Sequence, residues 1–396
     1  MSVEKLKNSK NDNSSTVSIK NENTPTESKK NDNLKSDIPK NDNSKNDSSK
    51  GDNTKINDSK GVITAAENKN SEINIIKQQI LKKFGQGSIF SFNEGQAPDE
   101  SSIYEPISTG ILSLDGALGI GGLPAGRIIE LYGPESSGKT TLTLNIIANF
   151  QKNGKLAAFI DAEHALDVNY AKKIGVDLSK LLISQPSSGE ECFDICNELV
   201  KSGAVSLVVI DSVAAIVPRA EIEANSGEMQ VGLHARLMAS ALRRLTSLTA
   251  NNSCSVIFIN QLRDKIGSMF GGSETTPGGR ALKFFSSVRM EVRKIETLKN
   301  GDSPVGIKIR AKIIKNKCAM PFKQTELELL FNDGISYESD LINLAVERGI
   351  LEKNGAWYSM DNEKIGQGKD NIRLLIKDAG PLRDKIEQKV KAAIAA

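Results

Sequence analysis

Four short apolar runs, each ending in polar residues, set the frame of this sequence. Ile128-Ile129-Glu130-Leu131-Tyr132 leads into Gly133, and Leu156-Ala157-Ala158-Phe159-Ile160 leads into Asp161, Ala162 and Glu163. Leu207-Val208-Val209-Ile210 runs into Asp211-Ser212, and Val256-Ile257-Phe258-Ile259 into Asn260-Gln261. Near-continuous apolar strands separated by helical segments predict a mostly parallel sheet flanked by helices. Ligands of such sheets bind beyond the carboxyl ends of the strands. The pattern therefore brings Lys139 and Thr140, Glu163, Asp211 and Gln261 to one edge. Farther along, VRMEVRK, GIKIRAKII and TELELLF within residues 288–331 alternate apolar and polar positions, as antiparallel edge strands do. A smaller α/β unit follows Tyr337, with helices near Leu341 to Arg348 and Leu382 to Ala395. Upstream, Ile73, Ile76, Ile80 and Phe84 share one helical face, with Ser71 as cap and Gly85 as stop. A linker rich in Gly, Ser, Pro and acids follows, to about Pro106. Such a helix packs on its own domain or docks on a neighbour, and periodicity does not choose between them.

Met1 to Lys60 shows no such pattern. It is mostly Lys, Asn, Asp and Ser with almost no apolar content, and Lys10, Lys20, Lys30, Lys40 and Lys50 each open a four-residue unit of the KNDN type. A repeat without apolar positions has no face to bury and cannot repay the entropy of ordering. The expectation is a disordered, low-complexity tail, spanning on the order of 40 Å, with order beginning near Ser71. The domains expected are a disordered extension over 1–68, a helix and linker over 69–100, a nucleotide-binding core over 101–336 and a C-terminal domain over 337–396.

Composition narrows the chemistry. A formal net charge of +3 over 396 residues does not by itself indicate nucleic acid, so that case must rest on local placement. Cys192, Cys196, Cys254 and Cys318 are scattered outside any Cys-x-x-Cys pattern, which suits reduced thiols. Cys192 and Cys196 are spaced to share one face of a helix. His164 and His234 are too few for a histidine metal centre. No apolar run approaches the roughly 18 residues that cross a membrane, and the N-terminus lacks the pattern of a secretory signal. A cytoplasmic protein with no membrane partner is expected.

The sharpest local signal is Gly133-Pro134-Glu135-Ser136-Ser137-Gly138-Lys139-Thr140, followed by Thr141, between a strand and a helix. That context makes a Walker A pattern a phosphate site. Glycines let backbone N–H groups curl around phosphate oxygens, and the helix N-terminus adds its positive dipole end. Lys139 reaches β- and γ-phosphates, and the Thr140 hydroxyl ligates Mg²⁺, so ATP and Mg²⁺ are the cofactors expected. Asp211 closes a Walker B run and holds the metal directly or through water. Glu163 is the candidate to orient and deprotonate the attacking water. Gln261, at a strand tip just before a glycine-rich loop, is placed to sense the γ-phosphate and pass its presence onward.

That loop supplies the nucleic-acid case. Arg263, Lys265, Gly267, Gly271, Gly272, Gly278 and Gly279 lie in it, with Ile266, Met269 and Phe270 among them. A basic glycine loop with apolar tips suits a nucleic-acid backbone and insertion between bases.

Taken together, these stretches resemble the bacterial RecA recombinases. The resemblance is carried by GPESSGKTTLTL from Gly133, AFIDAEHALD from Ala158, VVIDSVAA from Val208, INQLRDKIGSMFGG from Ile259, ETTPGGRALKFF from Glu274 and KNKCAMPFKQ from Lys315. GAWYSMDNEKIGQGKDN from Gly355 adds a match outside the core, and the likeness covers about residues 70 to 396. It implies a P-loop RecA-like ATPase core with an N-terminal polymerisation helix and a small C-terminal domain. The implied activity is a DNA-dependent ATPase that forms filaments on single-stranded DNA, pairs it with homologous duplex and exchanges strands. Stimulated self-cleavage of an SOS repressor of the LexA type is implied as well.

By the same resemblance Tyr170 stacks on adenine with Asp167 nearby, and Lys315 and Lys317 reach the ATP of the adjacent subunit. The resemblance also implies a first DNA loop from Glu221 to Leu233, including Val231, with Arg236 following; that segment is acidic, and composition alone does not point to DNA there. Phe284 and the face formed by Ile73, Ile76 and Ile80 become subunit contacts. The acidic C-terminal tail that damps DNA binding in the family has no counterpart in Lys389 to Ala396, so the resemblance does not carry that regulation over.

Two other readings are weighed against this. A RadA-like branch-migration ATPase shares the core but adds a Cys-x-x-Cys zinc unit and a protease-like domain, which this sequence does not show. A non-hydrolysing, ATP-gated DNA scaffold has no need of a base such as Glu163.

Overall fold

The computed structural model describes residues 59–85, 88–89, 105–224, 232–264, 274–377 and 380–395. The lysine–asparagine repeat lies outside them. The chain divides into two units, Met1–Phe90 and Ser91–Ala396.

In the first unit, helix α1 spans Ser59–Phe84. It ends at Gly85, which has a left-handed φ of 90°, as the sequence predicts. Its start differs. The helix begins twelve residues before Ser71, inside the segment expected to be disordered, so Ser71 is interior and not a cap. The reason is local: VITAAENKN between Gly61 and Ser71 contains no Pro or Gly, and its alanines and Glu67 favour helix. Ile73, Ile76 and Phe84 are exposed along α1, and Ile80 is half-buried.

The second unit opens with β1 (Pro106–Ile107), α2 (Leu112–Leu118) and β2 (Leu123–Pro124). The core alternates thereafter: β3 (Ile128–Gly133), α3 (Lys139–Lys152), β4 (Leu156–Asp161), α4 (Val168–Ile174), β5 (Leu181–Ser184), α5 (Gly189–Lys201) and β6 (Val205–Asp211). Next come α6 (Arg219–Glu223), α7 (Leu233–Asn251), β7 (Ser255–Gln261) and the two-residue strands β8 (Arg263–Asp264) and β9 (Glu274–Thr275). The chain continues through α8 (Ala281–Phe285), β10 (Val288–Asn300), β11 (Ser303–Asn316), β12 (Gln324–Leu330) and β13 (Gly334–Ile335).

Among the described residues, nine strands form one sheet in the order β13-β12-β11-β10-β3-β7-β6-β4-β5. From β10 to β5 all neighbours are parallel, whereas β10 through β13 pair antiparallel. Successive side chains of each strand enter opposite layers. Ile129, Leu131, Phe159, Ile257 and Ile259 pack with Leu142, Leu144, Ile147 and Phe150 of α3. Ile128, Ala158, Val208 and Phe258 pack with Phe193, Cys196 and Val200 of α5 and Leu242 and Leu245 of α7. Burial on both faces is why these strands read as continuous apolar runs. Cys192 joins Cys196 on the buried face of α5, and burial pushes the Cys192 thiol up to about 12.

The C-terminal elements are α9 (Tyr337–Glu347), β14 (Glu352–Asn354), β15 (Trp357–Met360), β16 (Glu363–Gln367), α10 (Lys369–Lys377) and α11 (Pro381–Ala395). Helix α9 starts a turn earlier than the apolar pattern suggests, because Ser336 caps it by accepting from the Ser339 N–H. Leu341, Ile342, Ala345, Tyr358, Met360, Ile372, Ile386 and Val390 form a separate core, into which Leu112 of α2 also packs. Among the described residues no helix is long and apolar enough to cross a membrane.

Candidate functional site

The loop from Gly133 to Gly138 joins the tip of β3 to the start of α3. Gly133 cannot carry a side chain, since a Cβ there would meet the Val292 carbonyl oxygen at 2.0 Å. Gly138 sits before the first helical residue with φ +88°, and a Cβ there would meet Leu329 at 2.7 Å. Pro134, Glu135 and Ser136 form the outer turn, with Ser136 at φ 55°. Ser137 lies inside it with a buried Oγ that has no hydrogen-bond partner among the described residues. The Lys139 ammonium is folded into the loop, donating to the Pro134 carbonyl at 2.7 Å and the Gly133 carbonyl at 3.1 Å. Burial lowers its proton affinity, opposed by the charges of Asp211, Glu163 and Glu135. A cradle that admits only glycine, an orphaned hydroxyl and a half-desolvated cation together fit a phosphate chain.

Strand register carries the remaining groups to the same edge. Gly133 pairs with Gln261, and Asp161 with Asp211. The Thr140 hydroxyl donates to Asp211 Oδ2 at 2.7 Å, which unites the two oxygens expected to hold a cation. Burial pushes the Asp211 carboxyl up to about 6; the Thr140 hydrogen bond opposes the rise, while the neighbouring charges of Glu163 and Asp161 add to it. Two hard oxygen donors, one of them a desolvated carboxylate, suit Mg²⁺ held mainly by water and phosphate. Glu163 is exposed beyond the tip of β4. Its Oε1 accepts from Gln261 Nε2 at 3.1 Å and also from the Ser212 hydroxyl. The structure thus joins the predicted base to the predicted sensor directly. Sequence reasoning missed Ser212, although its place right after the Walker B aspartate was the available signal.

Tyr170 lies on α4, its hydroxyl 3.2 Å from Thr141 Oγ1 on α3. Asp167 caps α4, its Oδ1 accepting from the N–H groups of Asn169 and Tyr170 at 2.9 and 3.0 Å, which fixes the backbone beneath that ring. Lys315 is elsewhere. It pairs in register with Arg289, which pairs with Glu130, three residues before Gly133 on β3. That displacement is about 10 Å along the strands and two strands to the side. The Lys315 ammonium donates to the carbonyls of Lys283 and Phe284 at 2.8 and 3.1 Å, beside a Phe284 ring that is 69% exposed. Burial lowers its proton affinity, as do Lys317 and Arg289. Lys317 is exposed just past the end of β11, its N–H donating to the Ser287 carbonyl at 2.9 Å, so both lysines lie away from the phosphate loop of their own chain.

The two predicted DNA segments converge at their described ends. Arg263 of β8 pairs with Thr275 of β9, closing the neck of the glycine loop. Gly278 and Gly279 follow with φ +88° and +72°; Cβ atoms there would meet Val213 at 3.1 Å and Ala235 at 3.0 Å. Ala235 precedes the exposed Arg236 on α7, so the return arm of one segment rests against the helix that ends the other. Val231, Lys265 and Ile266 lie outside the described residues. Beneath the neck, Asn260 Nδ2 donates to Pro277 O at 3.2 Å and to Glu130 Oε1 at 3.1 Å. Its Oδ1 accepts the Gln261 N–H at 3.0 Å. Asn260 therefore ties the sensor strand to the loop, a role the sequence signalled only by a charged Glu130 inside an apolar strand.

The chain is similar to known proteins along most of its length. It matches the family model described as RecA N-terminal domain over residues 71–336 and that described as RecA C-terminal domain over 339–395. Protein RecA of Amycolatopsis mediterranei (strain U-32) is 53% identical over 328 residues, covering 83% of this chain and 93% of the relative. Protein RecA of Rhodococcus opacus (strain B4) is 52% identical, covering 82% and 92%. Protein RecA of Legionella pneumophila (strain Corby) is 53% identical, covering 83% and 93%. A crystal structure of the RadB recombinase is 25% identical with a TM-score of 0.44, covering 58% of this chain and 97% of that one, a likeness too partial to bear on the fold.

Proposed function

The chain belongs to the RecA family, and on that premise we propose that it polymerises on single-stranded DNA, pairs the bound strand with homologous duplex and exchanges strands. It is a DNA-dependent ATPase of that family. The observation that carries the mechanism is the bond between Gln261 and Glu163, which links the group next to the DNA loop to the group that activates water.

In this mechanism the loop N–H groups, Ser137 and Lys139 bind the phosphate chain, and Tyr170 covers the adenine. Thr140 and Asp211 would hold Mg²⁺, which when bound neutralises charge on the phosphate oxygens. Both donors to Glu163 land on Oε1, so the other oxygen takes the proton of the attacking water. The water oxygen bonds to the γ-phosphorus as the bond to the ADP oxygen breaks. Gln261 exchanges Glu163 for the γ-phosphate when ATP is bound. Because Asn260 adjoins Gln261 in the same strand tip and holds Pro277, that exchange moves the neck of the glycine loop toward its DNA-gripping state. Hydrolysis reverses it.

The register of Lys315, with Lys317 just past the end of β11, supports ATP held between subunits, since both lie away from their own phosphate loop. The exposed Phe284 and the Ile73, Ile76 and Ile80 face of α1 serve that same contact. The resulting filament is proposed to stimulate self-cleavage of a LexA-type repressor.

The test is phosphate release with and without single-stranded DNA, together with electron microscopy of the protein on that DNA with a slowly hydrolysed ATP analogue. Stimulated release and helical filaments are expected, and Lys139→Ala is expected to abolish both turnover and strand exchange. Normal turnover in that variant, or release indifferent to DNA, ends the proposal.

A further inference from the structure

Asp161 stands at the same sheet edge as Asp211 and Glu163, yet its bonds go to its own turn and to Gln185. It is the last residue of β4 and only 2% exposed. Its Oδ1 accepts the Ala165 N–H at 3.1 Å, and its Oδ2 accepts the Leu166 N–H at 3.1 Å and the Gln185 side-chain amide at 3.0 Å. The turn between these points is also held from its other side, since the N–H groups of Ala162 and Glu163 donate to the Asp211 carbonyl at 2.8 and 3.2 Å. At the turn's centre His164 takes φ 55°, a left-handed conformation that a non-glycine residue keeps only where its surroundings impose it. Glu163 sits next to that residue, in a turn of six residues clamped by one buried carboxylate and one carbonyl. A carboxylate that accepts from two backbone N–H groups and an amide fixes all three groups at once.

We propose that Asp161 is a positioning residue for ATP hydrolysis: its carboxylate shapes the Asp161–Leu166 turn and so aims Glu163 at the attacking water, with Gln185 bracing it from the end of β5. This rests on the hydrolytic role proposed for Glu163. The phosphate loop and Thr140 belong to other elements, and Tyr170 is held by the separate cap that Asp167 makes with the Asn169 and Tyr170 N–H groups. Loss of the clamp therefore affects turnover and leaves affinity in place.

The experiment measures kcat and KM for ATP, with saturating single-stranded DNA, in the full chain and in Asp161→Asn, Glu163→Gln and the double variant. The Asn amide keeps the size but sets N–H against N–H. In Asp161→Asn, kcat should fall at least about tenfold while KM stays within about twofold. In the Glu163→Gln background the same change should add less than about twofold, because residues acting as a unit are not additive. A multiplicative loss in the double variant, a raised KM, or an unchanged kcat in Asp161→Asn overturns the proposal. Should Asp161→Asn fail to fold, Gln185→Ala decides. That side chain is exposed and removes one donor of three, and a several-fold fall in kcat at constant KM is expected, with unchanged kcat refuting the clamp. Wild-type turnover in Glu163→Gln refutes the hydrolytic reading itself, a result separate from either.

Discussion

A carboxylate within an apolar strand shows how single residues commit this protein. Glu130 is 0% exposed, and its oxygens are taken by Arg289 Nε and by Asn260 at 3.1 Å. The Arg289 guanidinium also lies 4.7 Å from the centre of the Tyr132 ring. A buried ion pair adds little net stability, but removing one partner leaves an uncompensated charge inside the protein. Glu130→Ala should therefore lower stability by about 3–5 kcal/mol, read from urea denaturation. Asp115 gives a pH-dependent case. It accepts from Thr109 N–H at 2.9 Å, Thr109 Oγ1 at 2.6 Å and Ser108 Oγ at 2.6 Å, yet burial pushes its carboxyl up to about 6. The folded chain thus holds this proton more tightly than the unfolded chain does. The resulting stability is complete below about pH 4 and lost as pH rises through about 6. Relative to Asp115→Asn, the wild type should lose melting temperature across that window and run parallel to the variant above pH 7, as calorimetry at several pH values would show. At this scale the sequence singled out Lys139, Thr140, Glu163, Asp211 and Gln261 as candidates, and the structure gathers them at one sheet edge. Ser212, Asn260 and Asp161 were not singled out, because their hydrogen bonds depend on a partner far along the chain or on a backbone turn.

Elements show the same division. Continuous apolar runs identified β3, β4, β6 and β7, since burial on both faces leaves no room for polar alternation. The start of α1 was misjudged because an apolar stripe marks where a helix buries a face, not where backbone hydrogen bonding begins. That stripe remains the informative part. Ile73 and Ile76 are exposed on a helix with no polar use for them, which fits a face awaiting a second copy of the chain. Ile76→Glu should prevent filaments on single-stranded DNA under electron microscopy, and filaments of normal length would remove α1 from the assembly.

At the scale of the molecule, a small C-terminal core is fastened to the ATPase sheet through α2. Asp340 of α9 accepts the Ser113 N–H at 3.1 Å and also its hydroxyl, while the Ser113 Oγ accepts from Thr325 Oγ1 at 2.7 Å. One C-terminal carboxylate therefore satisfies an orphan N–H in the first turn of a core helix. Asp340→Ala leaves those donors buried without a partner, and a loss of about 1–3 kcal/mol is expected. Hydrogen exchange should report it first in α2 and α9. Unchanged protection there would mean that the Leu112 contact alone holds the two together.

The sequence by itself determined the sheet, the phosphate loop and the edge at which the chemistry collects. Those follow from short-range patterns: apolar runs that must be buried, glycines that must bend, and the alternation of strand and helix that brings strand tips together. Tertiary structure decided what couples to what. It bonded Gln261 to Glu163, tied Asn260 to both Glu130 and Pro277, turned Asp161 toward the backbone and set Lys315 at the wrong end of the sheet for its own phosphate loop. The Asp161 turn depends on a local backbone conformation, and the others depend on strand order and register, which bring together residues separated by tens to more than a hundred positions; apolar periodicity carries no record of either.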